Sequence, residues 1–381
     1  MSTTLRIIRL ASATVLALAS ACGGVTATPT PTPTPASGPV TGSNNPPAAP
    51  APLIQTTWPT RSREHVDLWL HAYAMLAPDT TLVPYFKRGY RDRIAGVRRQ
   101  RNITSLLDAN RDKLVARINV EPSLATNGQF VPMYFASWEQ MRQAIDLFVR
   151  SGGNPGASND PTMRMYLAVL GGAFQSAADR EWLRLLTESA DDESRKFYHD
   201  FWLSETTAHA AVTRHVDSLW QRQWRPALQR FLNNTQQQNG EVYLSLPLGG
   251  EGRTVQFTKS NNAVAVPAPE TTAESEVVLY VMAHEVTGNV ANTAITDNTT
   301  PADQRAGLTT RYAQAAAVRA GALLLERVSP LAAPGYMRYY LQQAGRNAPP
   351  DPRAAFVAAF SIPDAVRDAI TRQFDVILGG I

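Results

Sequence analysis

Apolar residues recur at helical spacing through most of the chain beyond residue 64. Between Glu64 and Leu76 the pattern Val66, Leu68, Trp69, Leu70, Tyr73, Met75 has a period near 3.6, and Pro78 stops it. The same period predicts helices over 104–120, 137–150, 162–176, 178–190 and 191–233. The last is expected to break before Pro226, whose ring has no N–H to give and crowds the preceding turn. Gly152-Gly153-Asn154-Pro155-Gly156 marks a loop within this helical run.

The period then changes to two. Short alternating runs at 242–246, 254–259 and 263–266, divided by Gly249-Gly250 and Asn261-Asn262, predict a small antiparallel meander. Helices return over 271–292, from Pro301 behind a Thr300 N-cap with Asp303 in the first turn, and over 331–345 and 363–378. The fold class is therefore mainly α (α+β). A helical region, 56–240, precedes a region with the meander and further helices, 241–381.

The first 55 residues have another texture. Arg6 and Arg9 lead into an apolar run of about ten residues, half of the roughly 20 that a membrane-spanning helix needs, so 1–21 reads as an export signal. Four Thr-Pro repeats fill 28–35, and small or proline residues continue to Pro52. Proline fixes its own backbone angle and offers no donor, which predicts an extended linker over 22–55 in place of a packed core. Cys22 is the one cysteine, so an exported chain has no internal disulfide to hold it.

Ala19-Ser20-Ala21-Cys22 resembles the lipobox of bacterial lipoproteins. The resemblance implies that the Cys22 thiol carries a diacylglyceryl group and that Cys22 becomes the new amino terminus. It thus places the chain in the cell envelope, anchored by lipid, with Gly23 favouring the outer membrane or cell surface.

Charge adds little to this picture. The net charge is +4, and 32 of the 36 basic residues are arginines. One segment stands out: Lys87 to Arg101 holds seven basic residues and one acid, Asp92, with Tyr85, Phe86 and Tyr90 alongside. Such a face can meet anionic headgroups or acidic envelope polymers, or it can be balanced by acids elsewhere in the fold. Export excludes nucleic acid as a partner.

Candidate chemistry centres on Val281-Met282-Ala283-His284-Glu285-Val286-Thr287-Gly288. An apolar helix that follows a small sheet and carries His-Glu resembles the active-site helix of zincin metallopeptidases, whose motif is H-E-x-x-H. The resemblance implies His284 as a zinc ligand, Glu285 as general base and Glu326, on a following helix, as a further ligand. Gly288 stands where the second histidine belongs and has no side chain to coordinate. Glu205 and His209, four apart on one helical face, could supply metal ligands instead, or simply pair with each other. His215 lies farther along, and His65 and His71 sit on the first helix. There is no G-x-S-x-G elbow, P-loop or G-x-G-x-x-G turn, so serine hydrolysis and nucleotide cofactors have no local signature.

Two functions follow. One is an envelope lipoprotein that binds or scaffolds a protein or peptide partner through a degenerate metallopeptidase-like domain. The other is an active zinc peptidase with an altered ligand set.

Overall fold

Twelve of the thirteen residues of the Glu64–Leu76 helix are buried, Glu64 being the exception. A helix buried on every side needs partners on every side, including polar ones for His65, Asp67 and His71, and the other elements supply them. A computed structural model describes residues 58–76, 82–258 and 260–379. The described residues form one compact, mainly α unit with a four-stranded sheet. No helix of the described residues is long and apolar enough to cross a membrane.

Helices Tyr90–Gln100, Leu106–Val120, Trp138–Arg150, Pro161–Ala173 and Ala177–Glu193 pack around the first helix. Their starts are set locally. Ser137 accepts the Gln140 N–H at 3.2 Å, and Ser176 and Asp179 form a reciprocal capping box. The long run expected over 191–233 is helical almost throughout, and it does not break before Pro226. A π-helical turn, Trp220–Trp224, widens the helix there and relieves the crowding that proline imposes, so Arg225–Asn234 continues the path. A second π-turn, Ser194–Tyr198, lies earlier, and the actual pause falls at His209.

The sheet departs from the expected meander. Strands β1 (Thr60–Arg61), β2 (Asn239–Ser245), β3 (Arg253–Thr258) and β4 (Asn261–Pro267) lie in the order β1-β2-β4-β3. Only β3 and β4 are antiparallel; β2 pairs with β4 in parallel, Val242 opposite Val264, and β1 pairs in parallel with β2. The reason is the connection 246–252, which is too long for a tight hairpin and is held elsewhere. Leu248 bridges Phe86, and the Gly249 and Gly250 N–H groups donate to the Tyr85 and Pro84 carbonyls at 2.6 and 2.9 Å. The chain thereby reaches the outer edge before β4 returns through the middle. Asn261 and Asn262 begin β4 and do not form the turn.

Because β4 lies in the middle, both of its faces are covered, and its sequence divides them. Val264 and Val266, with Val242 and Leu244, face the helices Glu276–Val286, Leu308–Val328 and Ala333–Gln343. Ala263 and Ala265, with Tyr243 and Val255, face Val66 and Leu70 of the first helix. The sheet is thus the layer against which both halves pack, the carboxy-terminal helices on one face and the first helix on the other. The helix expected over 271–292 is two helices, Glu276–Val286 and Gly288–Asn298, which meet at Thr287. The Thr287 hydroxyl bonds back to the Ala283 and His284 carbonyls, 2.9 Å each, a pairing that often bends helices.

Candidate functional site

The end of the Glu276–Val286 helix brings His284 and Glu285 to the edge of the sheet, where the glycine-rich connection crosses. A Cβ at Gly252 would meet the Ala265 carbonyl oxygen of β4, so only glycine allows that approach. The approach lets the Gly252 N–H donate to Glu285 Oε1 at 3.2 Å. The same carboxylate oxygen lies 2.9 Å from His284 Nδ1. Glu251, 8% exposed, precedes this contact. Arg253 follows it, donating through Nη2 to the Tyr85 hydroxyl at 3.3 Å, with its guanidinium 5.1 Å from the Phe130 ring centre.

Aromatic rings close the other side. His284, 7% exposed, stacks on Tyr340 with ring centres 5.4 Å apart and planes 24° from parallel. Tyr336, Tyr339 and Tyr280 continue the cluster. Gly321 and Gly335 make room for the Tyr336 and Tyr280 hydroxyls, and Tyr336 donates to the Val318 carbonyl at 2.8 Å.

Burial alone would depress the His284 pKa. The hydrogen bond to Glu285 and the charges of Glu285 and Glu251 outweigh burial and raise it. An imidazolium over the Tyr340 face gains further from the ring quadrupole. His284 Nε2 has no hydrogen-bond partner among the described residues.

A zinc ion does not fit these side chains. Gly288 begins a separate helix and offers no ligand. Glu326 is bound by Arg353 at 2.8 Å, on the wall of a cleft lined by Pro330, Met337 and Asp351. Glu205 pairs with Arg93 at 3.3 Å, and His209 Nδ1 faces the Glu205 backbone carbonyl at 2.7 Å, not its carboxylate. Among the described residues no three His, Cys, Asp or Glu side chains gather as metal ligands would. Of the expected metal ligands and base, only His284 and Glu285 meet through their side chains. Cys22 lies outside the described residues.

The sequence patterns point to Tyr85 only as a neighbour of the basic segment, and to Glu251 and Arg253 not at all. Their signal is readable in Gly249-Gly250-Glu251-Gly252-Arg253, where two charges sit among glycines inside an apolar β region. A second buried polar cluster surrounds the first helix. His71 lies 3.2 Å from Glu193 and 3.1 Å from the Tyr90 hydroxyl, and Arg98 lies 3.5 Å from the other Glu193 oxygen. The π-turn carries Tyr198 onto the His71 ring, with centres 4.4 Å apart. The basic segment is therefore partly structural: Arg98 serves Glu193 and Asp108, Arg93 serves Glu205 and Lys87 serves Glu270. No protein-family model matches the chain, and no curated protein and no solved structure matches it either.

Proposed function

We propose that this chain is a lipid-anchored binding or scaffold protein of the cell envelope, in which the His284-Glu285 helix does structural work and no metal chemistry. One observation carries the second half of this reading. The acids a zinc peptidase would need are each committed to an arginine of the fold, Glu326 to Arg353 and Glu205 to Arg93, while Glu285 holds His284 and the Gly252 N–H. Support for the anchor comes from the leader and Cys22, and support for an envelope partner from the proline-rich linker that follows. A partner would then be recognised by surface, as a protein or peptide.

Zinc content decides between this reading and an altered-ligand peptidase. The full chain, purified without a metal-affinity tag and analysed by elemental mass spectrometry, is expected to hold no stoichiometric zinc and to take none up on addition. One zinc per chain that disappears in His284→Ala would overturn the reading. A peptidase activity abolished by Glu285→Gln would do the same.

A further inference from the structure

Three arginines of the basic segment serve no acid inside the fold. Helix Tyr90–Gln100 buries Tyr90, Ile94 and Arg98, and Arg98 is bonded to Glu193 and Asp108. Lys87 and Arg93 are likewise held, by Glu270 and Glu205. Among the described residues Arg91, Arg99 and Arg101 have neither an ion pair nor a side-chain hydrogen bond. Arg91, Ala95 and Arg99 recur every four residues and so form one stripe, which runs from half-buried Arg91 to exposed Arg99. The helix then ends in a defined turn. Asn102 takes a φ of 53°, and the Asn102 and Ile103 N–H groups donate to the Arg99 and Arg98 carbonyls at 3.1 and 3.0 Å. That turn leaves Arg101 exposed and leads to Leu106, a large apolar side chain 42% exposed at the start of the next helix. The segment's one acid, Asp92, sits in the first turn of its helix, where the macrodipole favours it.

Soluble surfaces intersperse charges of both signs, whereas a patch of one sign attracts the opposite sign from outside. We infer that this face, Arg91, Arg99 and Arg101 with Leu106, docks on anionic lipid headgroups of the membrane that holds Cys22. The inference rests on the lipid-anchored reading above. A guanidinium fork matches the paired oxygens of a headgroup phosphate, and an exposed leucine among cations suits the headgroup level of a bilayer. Chain length permits the contact. About 35 residues separate Cys22 from Trp58, whose carbonyl is fixed by the Trp220 indole N–H at 2.7 Å. They can reach up to about 100 Å, twice the width of roughly 50 Å expected for a folded unit of this size, so any face can turn to the membrane. The tether also makes docking intramolecular, and a small patch is then enough.

Lipid on Cys22 blocks the only natural thiol, so Gly96→Cys supplies a single labelling position beside the stripe, where an added Cβ meets nothing within 4 Å. The full lipidated chain, carrying a fluorophore there, is placed on vesicles of phosphatidylcholine alone or mixed with phosphatidylglycerol, with a quencher on a fraction of the headgroups. Quenching is expected on the anionic vesicles and not on the neutral ones, and is expected to vanish in molar salt. Arg91→Gln, Arg99→Gln and Arg101→Gln together are expected to lower the ratio of docked to undocked chain by roughly a hundredfold, about fivefold for each arginine. Their Tm should match that of the labelled parent, since none of the three is bonded within the fold. Equal quenching on both vesicles, or unchanged quenching in the triple variant, would overturn the docking face. Soluble polyglutamate that binds the chain more tightly than anionic vesicles do would overturn lipid as the occupant in favour of an acidic polymer. Flotation on neutral vesicles in molar salt reads the anchor separately. A chain that floats there and is never quenched on anionic vesicles has the anchor without the docking face, and one that floats only on anionic vesicles at low salt has the face without the anchor.

Discussion

Asp67 carries its carboxylate where water does not reach, 1% exposed, at the point where the first helix meets both the helix His199–Ala208, through Trp202, and the end of β2. Burial raises its pKa to about 7, although the Trp202 indole N–H at 2.9 Å, the Leu246 N–H at 3.4 Å and the charge of Lys87 pull it down. Tyr90 and Tyr198, which its charge also disfavours, complete the surroundings. A raised carboxylate pKa favours the fold below the unfolded value of 3.8, and that advantage disappears as pH climbs through about 7. The full difference amounts to about 4 kcal/mol. Asp67→Asn retains an acceptor for both N–H groups and removes the charge. It is expected to unfold at the same denaturant concentration as wild type near pH 4 and to be more stable by about 1–3 kcal/mol at pH 8. A variant less stable than wild type at pH 8 would show that the ionised carboxylate is the preferred partner of Trp202 and Leu246.

At the scale of elements, the glycines of the 246–252 connection are the points at which the sheet order is enforced. Gly252→Ala places a Cβ against the Ala265 carbonyl, a backbone atom that cannot swing aside. The expected cost is about 2–4 kcal/mol in chemical denaturation, together with a weakened hold on Glu285. Gly288→Ala is the control: nothing lies within 4 Å of its added Cβ, and the change is expected to be neutral or to stabilise by about 0.5 kcal/mol. Equal losses in the two variants would show that the Gly252 approach is not tight. The same connection explains why the helices were legible in the sequence and the strand order was not. Helical period and capping residues are local, so Glu64–Leu76 and the start at Ser137 follow from neighbours a few positions apart. The parallel pairing of Val242 with Val264 depends on Leu248 and Gly249 being held by Phe86 and Tyr85, more than 160 residues earlier, and no local pattern carries that. The candidate site divides the same way. His284-Glu285 is a local pair and was visible, whereas the capture of Glu326 by Arg353 and of Glu205 by Arg93 required the tertiary structure.

For the whole molecule, the buried ionisable groups set opposing trends with pH, and their sum is measurable. Asp67, with its pKa near 7, and His284, whose pKa is raised, both contribute stability that is present in mild acid and lost as pH rises through their folded values. The exposed His199, paired with Glu64 at 2.8 Å, adds a small term of the same sign. His65 opposes them. Burial lowers its pKa, so its neutral form is favoured in the fold and its contribution is lost as pH falls below 6.5. Glu193, Asp179 and Glu241 lie on the acid limb. Burial works against their charge, but His71 and Arg98, Arg117, and Arg63 hold their pKa values down, so the stability they supply is lost as they protonate below the ordinary carboxylate range. Asp67 titrates across this range, and the direction of its shift sets the slope it contributes there. Calorimetric Tm at constant ionic strength is expected to rise from pH 8.5 to about pH 5.5, then to fall steeply below about pH 4.5. In Asp67→Asn the upper slope should flatten and leave only the opposed histidine contributions, with the acid limb unchanged. A wild-type Tm that is flat or highest at pH 8 would mean that the Asp67 carboxylate is ionised in the fold without penalty, and that the helical half and the sheet are joined there by a charge instead of a proton.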